Sequence, residues 1–209
     1  MLPDAPPYMK WDEEVARQLT DFNKRLQHLE RLEGPGGAWN LIETIELAAP
    51  AATIDFLNIP ATYQHLKLEG SARTTRATAG IQVALRFNND SGNNYYSLFG
   101  QIVHVAVVAT AELLASSRIE AIVVPGALAP ANSFGSFELT IPDYVDTNKH
   151  KMLHNIGATF ENTTTGNIKF KFGSGIWQST TAINRITLYF TTADNFDTHT
   201  LVSLYGIAG

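Results

Sequence analysis

The chain has 209 residues, of which 44% are hydrophobic, 17% are charged and none is cysteine, and its formal net charge is −5. Without a basic block, nucleic acid is not an expected partner. The lack of cysteine excludes disulfides, thiolate catalysis and cysteine-ligated metals. No segment approaches the ~18 apolar residues that cross a bilayer, and no signal peptide is evident, so we expect neither membrane insertion nor signal-directed export.

Residues 1–10 contain Pro3, Pro6 and Pro7, which exclude a helix and favour an extended arm. Such an arm is either disordered or lies on another protein. Residues 11–33 change to a helical pattern, in which Asp12 is a suitable N-cap. The Gly-Pro-rich segment 34–37 then ends the helix and acts as a hinge before the domain at 38–209.

Apolar residues recur along the helix at spacings of four, three, four and three, which is a heptad seam. The seam residues are Val15, Leu19, Phe22, Leu26 and Leu29. This pattern fits either a helix packed on its own domain or a short parallel coiled coil. We favour the coiled coil because the apolar stripe is narrow and the charged faces are broad.

From Trp39 onward the pattern is one of short strands separated by turn residues. The last two strands are expected within 183–190 and 201–207, on either side of a polar turn region at 191–200. The run from Ile102 to Leu114 also fits a helix, but we interpret it as a strand. Ten or more strands at near-regular spacing predict a mainly β fold, an antiparallel β-sandwich of jelly-roll type preceded by the short α-helix.

Catalytic and metal-binding motifs are weak. His150 and His154 are four residues apart, but they lie where a loop enters a strand, which would hold them too far apart for one ion. Ser174 lies between Gly173 and Gly175 without the full nucleophile-elbow pattern, so we expect the two glycines to form a turn. Carboxylates are sparse in the β region. We therefore predict a protein that is not an enzyme and uses no metal or cofactor.

Carbohydrate binding is better supported, because sugars stack on aromatic rings beside polar loops. The candidate ligand contacts are Tyr95, Tyr96, Trp177 and Phe196. The alternative for Tyr95 and Trp177 is that they belong to the core. The turn region at 191–200 is a further candidate for ligand contact.

Several blocks in order resemble a β-sandwich module of tailed-bacteriophage virion proteins. They are 38–43 (AWNLIE), 59–68 (IPATYQHLKL), 85–90 (LRFNND), 94–97 (NYYS), 139–144 (LTIPDY), 175–177 (GIW), 182–188 (AINRITL) and 203–207 (SLYGI), with Lys149 and Lys151. The resemblance covers about residues 37–209 and leaves out the arm and the helix.

The resemblance implies a structural protein on the surface of a phage particle, made in the host cytoplasm, with no catalytic residues to carry over. We expect a tail-fibre or receptor-binding component, anchored to other virion proteins through residues 1–33 and facing a host-surface glycan. The alternative is a capsid decoration or cement protein that stabilises the assembled shell. Members of the family are often threefold, so the coiled coil and the resemblance together predict a homotrimer.

Overall fold

The computed structural model describes residues 17–21, 24, 39–103, 106–162 and 167–207. The chain divides into two units, Met1–Ala38 and Trp39–Gly209. In the first unit, residues 17–21 and 24 are helical, within the predicted helix. Of the predicted seam residues, Leu19 is described and its side chain is exposed. The others, Val15, Phe22, Leu26 and Leu29, lie outside the described residues, as do the arm and the hinge, so the coiled coil stays a prediction.

The second unit is mainly β. Its strands are β1 (Trp39–Glu46), β2 (Thr53–Phe56), β3 (His65–Ala72), β4 (Gly80–Phe87), β5 (Tyr95–Val103), β6 (Ala106–Ser116), β7 (Ile119–Pro125), β8 (Gly135–Ile141), β9 (Lys151–Asn162), β10 (Asn167–Trp177), β11 (Ile186–Tyr189) and β12 (Leu201–Ile207). The run from Ile102 to Leu114 is therefore extended wherever it is described, as predicted.

The strands form two antiparallel sheets. The large sheet has eight strands in the order β1-β12-β3-β8-β9-β10-β5-β6, and the small sheet has four in the order β2-β11-β4-β7. One hydrophobic core takes side chains from both sheets, such as Leu66 and Leu68 of β3 and Ile54 and Phe56 of β2. The architecture is thus that of a β-sandwich, as the strand pattern indicated.

Alternation of side chains explains the orientation of most strands. In β8, Phe137, Leu139 and Ile141 are buried, while the residues between them are more exposed. β7 differs, because nearly all of its residues are buried. β7 is the edge of the small sheet and packs against β8, β9 and β10 of the large sheet. A strand covered on both faces is apolar throughout rather than alternating.

The two closing strands lie in different sheets. β11 pairs with β2 and β4 in the small sheet, whereas β12 pairs with β1 and β3 in the large one. The connection between them is held to the body by Phe196, which forms backbone bridges with Ala51 and Thr74. The chain therefore crosses from one sheet to the other over residues 190–200.

Candidate functional site

Three of the four predicted ligand contacts are buried. Trp177 stacks on Tyr95 with ring centroids 6.1 Å apart and an interplanar angle of 13°, and it lies 5.7 Å from the ring of Phe87. Phe196 packs 4.5 Å from Phe190. Because Tyr95, Trp177 and Phe196 are at most 2% exposed, they cannot stack on a ligand, and the prediction is wrong for them. The alternative, that Tyr95 and Trp177 are core, is what the structure shows.

The polar atoms of this aromatic cluster are satisfied internally. Trp177 Nε1 donates to Asp90 Oδ2 over 2.7 Å, and Asn94 Nδ2 donates to the same oxygen over 2.8 Å. The Tyr95 hydroxyl accepts from the Phe87 N–H, and its single hydrogen lies within reach of the carbonyl oxygens of Phe87 and Asp90, each 3.2 Å away. Burial raises the pKa of Tyr95. Neighbouring loops thus pack their polar groups on the core aromatics, which is why loop proximity was a misleading sign of exposure.

Tyr96 is the remaining predicted contact, and it is partly exposed on the outer face of the large sheet. It lines a shallow groove of about 180 Å³ together with four apolar side chains and the polar Ser97, Glu112 and Ser174; the apolar ones are Leu98, Leu114, Met152 and Ile176. The groove is therefore largely apolar, and Tyr96 belongs to a wider apolar surface.

That surface, here called the apolar face, covers the outer side of β9, β10, β5 and β6. Its residues are between 42% and 63% exposed: Leu98, Ile102, Leu114, Met152, Ile156, Ile168 and Phe172. Phe172 lies near its centre, since it pairs with Ile156 of β9 on one side and packs its ring over Gly100 of β5 on the other. Monomeric proteins rarely expose so many large apolar side chains side by side.

The other half of the same sheet face is polar. On β3 and β8, Lys67 Nζ lies 2.9 Å from Glu138 Oε2 and 3.2 Å from Glu69 Oε2. These strands show that this sheet tolerates a charged outer face. The apolar face is therefore confined to β9, β10, β5 and β6, and the ion pairs lie beside it on the neighbouring strands.

The inner side of the same strands carries polar and charged residues in place of a continuous apolar surface. Lys171 of β10 is buried, with its Nζ 3.9 Å from the centroid of the Phe99 ring and 3.4 Å from Gln82 Oε1. Burial lowers the pKa of Lys171 to about 8. Next to it, Lys169 Nζ lies 2.6 Å from a carboxylate oxygen of the buried Glu161.

These inner residues border an open cleft of about 480 Å³ between the small sheet and the extended part of the large one. Residues of β4, β7, β5 and β10 line it together with the loop before β4 and the turn after β11: Arg76, Thr78, Gly80, Ile81, Gln82, Ala84, Gln101, Glu120, Val123, Lys169, Thr191 and Thr192. This polar cleft includes the start of the turn region that was a sequence candidate for ligand contact. Its other residues carried no recognisable motif, because five separate segments supply them.

A second polar network lies on the outer side of the small sheet. Arg185 Nη2 donates to Asp55 Oδ1 over 2.7 Å, and Thr187 donates to the same oxygen. Arg86 stacks on the ring of Tyr189 at 4.9 Å and donates to its hydroxyl. Since these side chains bind one another, we interpret the network as structural.

The weak sequence motifs have structural explanations. His150 lies in the turn before β9 and His154 on its exposed side. Among the described residues, no group of three or more histidine, aspartate or glutamate side chains is arranged to hold a metal. Gly173 and Gly175 do not form a turn but lie within β10, so that expectation is wrong. A Cβ at Gly175 would lie 2.7 Å from Ile119 Cγ2, so glycine there allows close packing on β7.

In the described part of the chain, no helix has the length and apolarity needed to cross a membrane. In comparisons with protein-family models, with curated proteins and with solved structures, nothing matches this chain.

Proposed function

We propose that this protein is a non-enzymatic structural component of a bacteriophage virion, exposed on the particle surface and assembled from several copies of the chain. The observation that supports assembly is the apolar face, and the virion setting comes from the sequence resemblance. A protein that works as an isolated monomer has no use for this surface, whereas a component of an assembly covers it with another protein.

The size of the apolar face supports an interface. Its seven large residues are about half exposed. At roughly 150 Å² for each residue, the low end of the aromatic range because six of the seven are aliphatic, this gives about 500 Å² of apolar surface. The largest patch on a typical monomer is about 300–600 Å², and a standard interface takes about 800 Å² from each partner. The face therefore supplies most of what one side of a stable interface needs.

A second copy of the same chain is the partner we propose. The seven residues of the apolar face are uncharged, and polar positions such as Glu112 and His154 lie between them, so its complement is mainly apolar, and this chain provides such a surface. The predicted heptad seam at 15–29 favours the same association through the N-terminal unit. Three copies are the expected number, from the predicted coiled coil and the resemblance to threefold virion proteins.

The proposal includes a jelly roll as the fold of the domain. In a jelly roll, eight strands fold as a ribbon in which the first pairs with the last, the second with the seventh, and so on inward. The pairs β1–β12, β2–β11, β3–β8 and β4–β7 follow this order when β5–β6 and β9–β10 are taken as inserted hairpins. The insertions carry the apolar face, so they would be the part of the fold specialised for assembly.

Assembly is tested by sedimentation velocity of the purified full chain. Phe172→Asp places a charge at the centre of the apolar face and should weaken association by at least about 2 kcal/mol, or roughly thirtyfold. The matched control is Leu128→Asp, because Leu128 is an exposed leucine in the loop between β7 and β8, outside the strands of the apolar face. A wild-type chain that sediments as a monomer, or a Phe172→Asp variant as associated as the control, would overturn this interface.

The helix is tested separately with Leu26→Asp. We expect this variant to lose the trimer. If it still sediments as a trimer, the coiled-coil prediction fails and the sandwich faces alone hold the assembly.

The place in the particle is a tail fibre or receptor-binding component, with capsid decoration as the alternative. Densitometry of purified virions distinguishes them, because a decoration protein is present at many more copies per particle than a fibre. Absence of the protein from purified particles would refute both.

A further inference from the structure

We propose that the polar cleft binds an uncharged saccharide through the amides of Gln82 and Gln101. The proposal deepens the proposed function and rests on it only in expecting the natural ligand to be a glycan of the host surface. The cleft is separate from the predicted aromatic contacts, which are core residues, and from the apolar face on the opposite side of the large sheet.

The cleft is built from regular structure. Gln82 lies on β4, Gln101 on β5 and Lys169 on β10, so strands of both sheets hold its side chains. Sites supported by strands keep their geometry better than sites on loops. Its volume of about 480 Å³ lies within the roughly 300–1,000 Å³ of small-molecule sites and accommodates a mono- or disaccharide.

The exposed charges at the cleft are paired, and Lys171, which makes no ion pair among the described residues, is buried. Arg76 Nη1 lies 2.7 Å from Asp194 Oδ2, and Glu120 Oε1 lies 2.9 Å from Arg118 Nη2. Lys169 is paired with Glu161 in the same way. A phosphate or sulfate group would have to displace a carboxylate from its partner, and a metal cation would have to displace an arginine or lysine. An uncharged ligand avoids this cost.

The hydrogen-bonding groups of the cleft match hydroxyls. The Gln101 amide offers donors and an acceptor, Gln82 offers mainly its NH₂ donors because its oxygen accepts from Lys171, and Thr78, Thr191 and Thr192 add hydroxyl groups. A sugar hydroxyl both donates and accepts, so it can bind such mixed groups in either role. Ile81, which is partly exposed, supplies an apolar patch for the C–H face of a sugar ring.

A buried acceptor beside the cleft has no partner within the described residues. Glu161 is only 2% exposed, and its Oε1 makes no hydrogen bond there. This oxygen lies next to Gly80, and the other carboxylate oxygen is bound by Lys169, so two cleft residues flank the carboxylate. Buried polar atoms are rarely left unsatisfied, and because this oxygen is closed off from the surface, a buried water behind the cleft is its expected partner.

The test is saturation-transfer NMR on the purified full chain with galactose, glucose and N-acetylglucosamine as neutral probes and glucose 6-phosphate as the anionic probe. We expect saturation of at least one neutral sugar. The double variant Gln82→Leu/Gln101→Leu should bind it at least tenfold more weakly, because each amide hydrogen bond contributes about fivefold. Gln178→Leu is the matched control, since Gln178 is exposed outside the cleft.

Binding of no neutral sugar, or stronger binding of glucose 6-phosphate, would overturn the proposed ligand class. Binding that survives in the double variant, with thermal unfolding confirming that it is folded, would overturn the location. Failure here is distinguishable from failure of the assembly proposal: the double variant should sediment like the wild type, and Phe172→Asp should still bind the sugar.

Discussion

Replacing Trp177 with phenylalanine tests whether this residue is a core element. Phenylalanine keeps a ring against Tyr95 and Phe87 but loses the hydrogen bond to Asp90 Oδ2. A hydrogen bond to a charged group contributes about 1.5 kcal/mol at the low end of its range, which suits the partly exposed Asp90. The lost five-membered ring removes about 50 Å² of buried surface, or about 1.3 kcal/mol. We expect a total loss of about 3 kcal/mol in the free energy of unfolding.

Urea unfolding followed by far-UV circular dichroism measures this loss without relying on tryptophan fluorescence. The matched control is Trp39→Phe, because Trp39 is 38% exposed on β1, with Lys67 Nζ lying 5.7 Å from the centroid of its ring. We expect the control to lose less than about 1 kcal/mol. The reasoning is refuted if both variants unfold at the same urea concentration. Trp177 would then not be the core residue described here.

Two further predictions concern pH. Burial lowers the pKa of Lys171 to about 8 in the folded protein. Between about pH 8 and 10, Lys171 is therefore protonated in the unfolded chain but largely deprotonated in the folded one, so the stability of the wild type rises with pH over this range. Lys171→Met should therefore have a free energy of unfolding about 2 kcal/mol higher than wild type at pH 7, and this gain should shrink towards pH 10. Urea titrations at both pH values measure the gain, and a gain that does not change with pH contradicts the burial argument. For Asp55, partial burial acts to raise the pKa, but hydrogen bonds from Thr187, Thr53 and Arg185 outweigh it and lower the pKa. The carboxylate thus stabilises the fold at neutral pH and ceases to do so as pH falls below about 4. Asp55→Asn should therefore lose about 1–2 kcal/mol of unfolding free energy at pH 7 and little near pH 2.5. Equal losses at the two pH values would exclude this role for Asp55.

Most strands could be predicted from the local alternation of apolar and polar residues. β12 and β4 were recognisable because apolar residues recur at every second position between turn residues. The positions of Gly173 and Gly175 were misread, since a glycine in a turn and a glycine at a close strand contact look alike in a sequence. Only the approach of Ile119 in the folded structure separates the two cases.

The candidate sites depended far more on tertiary structure. Strand alternation separates two faces of β9 and β10 but does not say which face meets the core. The structure turns Met152, Ile156 and Phe172 outward and Lys171 inward, against the simple rule that apolar side chains face inward. The polar cleft was equally hidden, since Gln82, Gln101 and Lys169 lie far apart in the chain.

The closing region 173–207 shows the division between the two kinds of information. The sequence by itself determined that it contains strands and a polar turn, because side-chain alternation and turn residues act locally. Tertiary structure decided that β11 and β12 join different sheets, that Trp177 is buried against Tyr95, and that Thr191 and Thr192 border the polar cleft. Those outcomes depend mainly on partners far away in the sequence, such as Asp90 for Trp177 at a separation of 87 residues, and no local pattern specifies them.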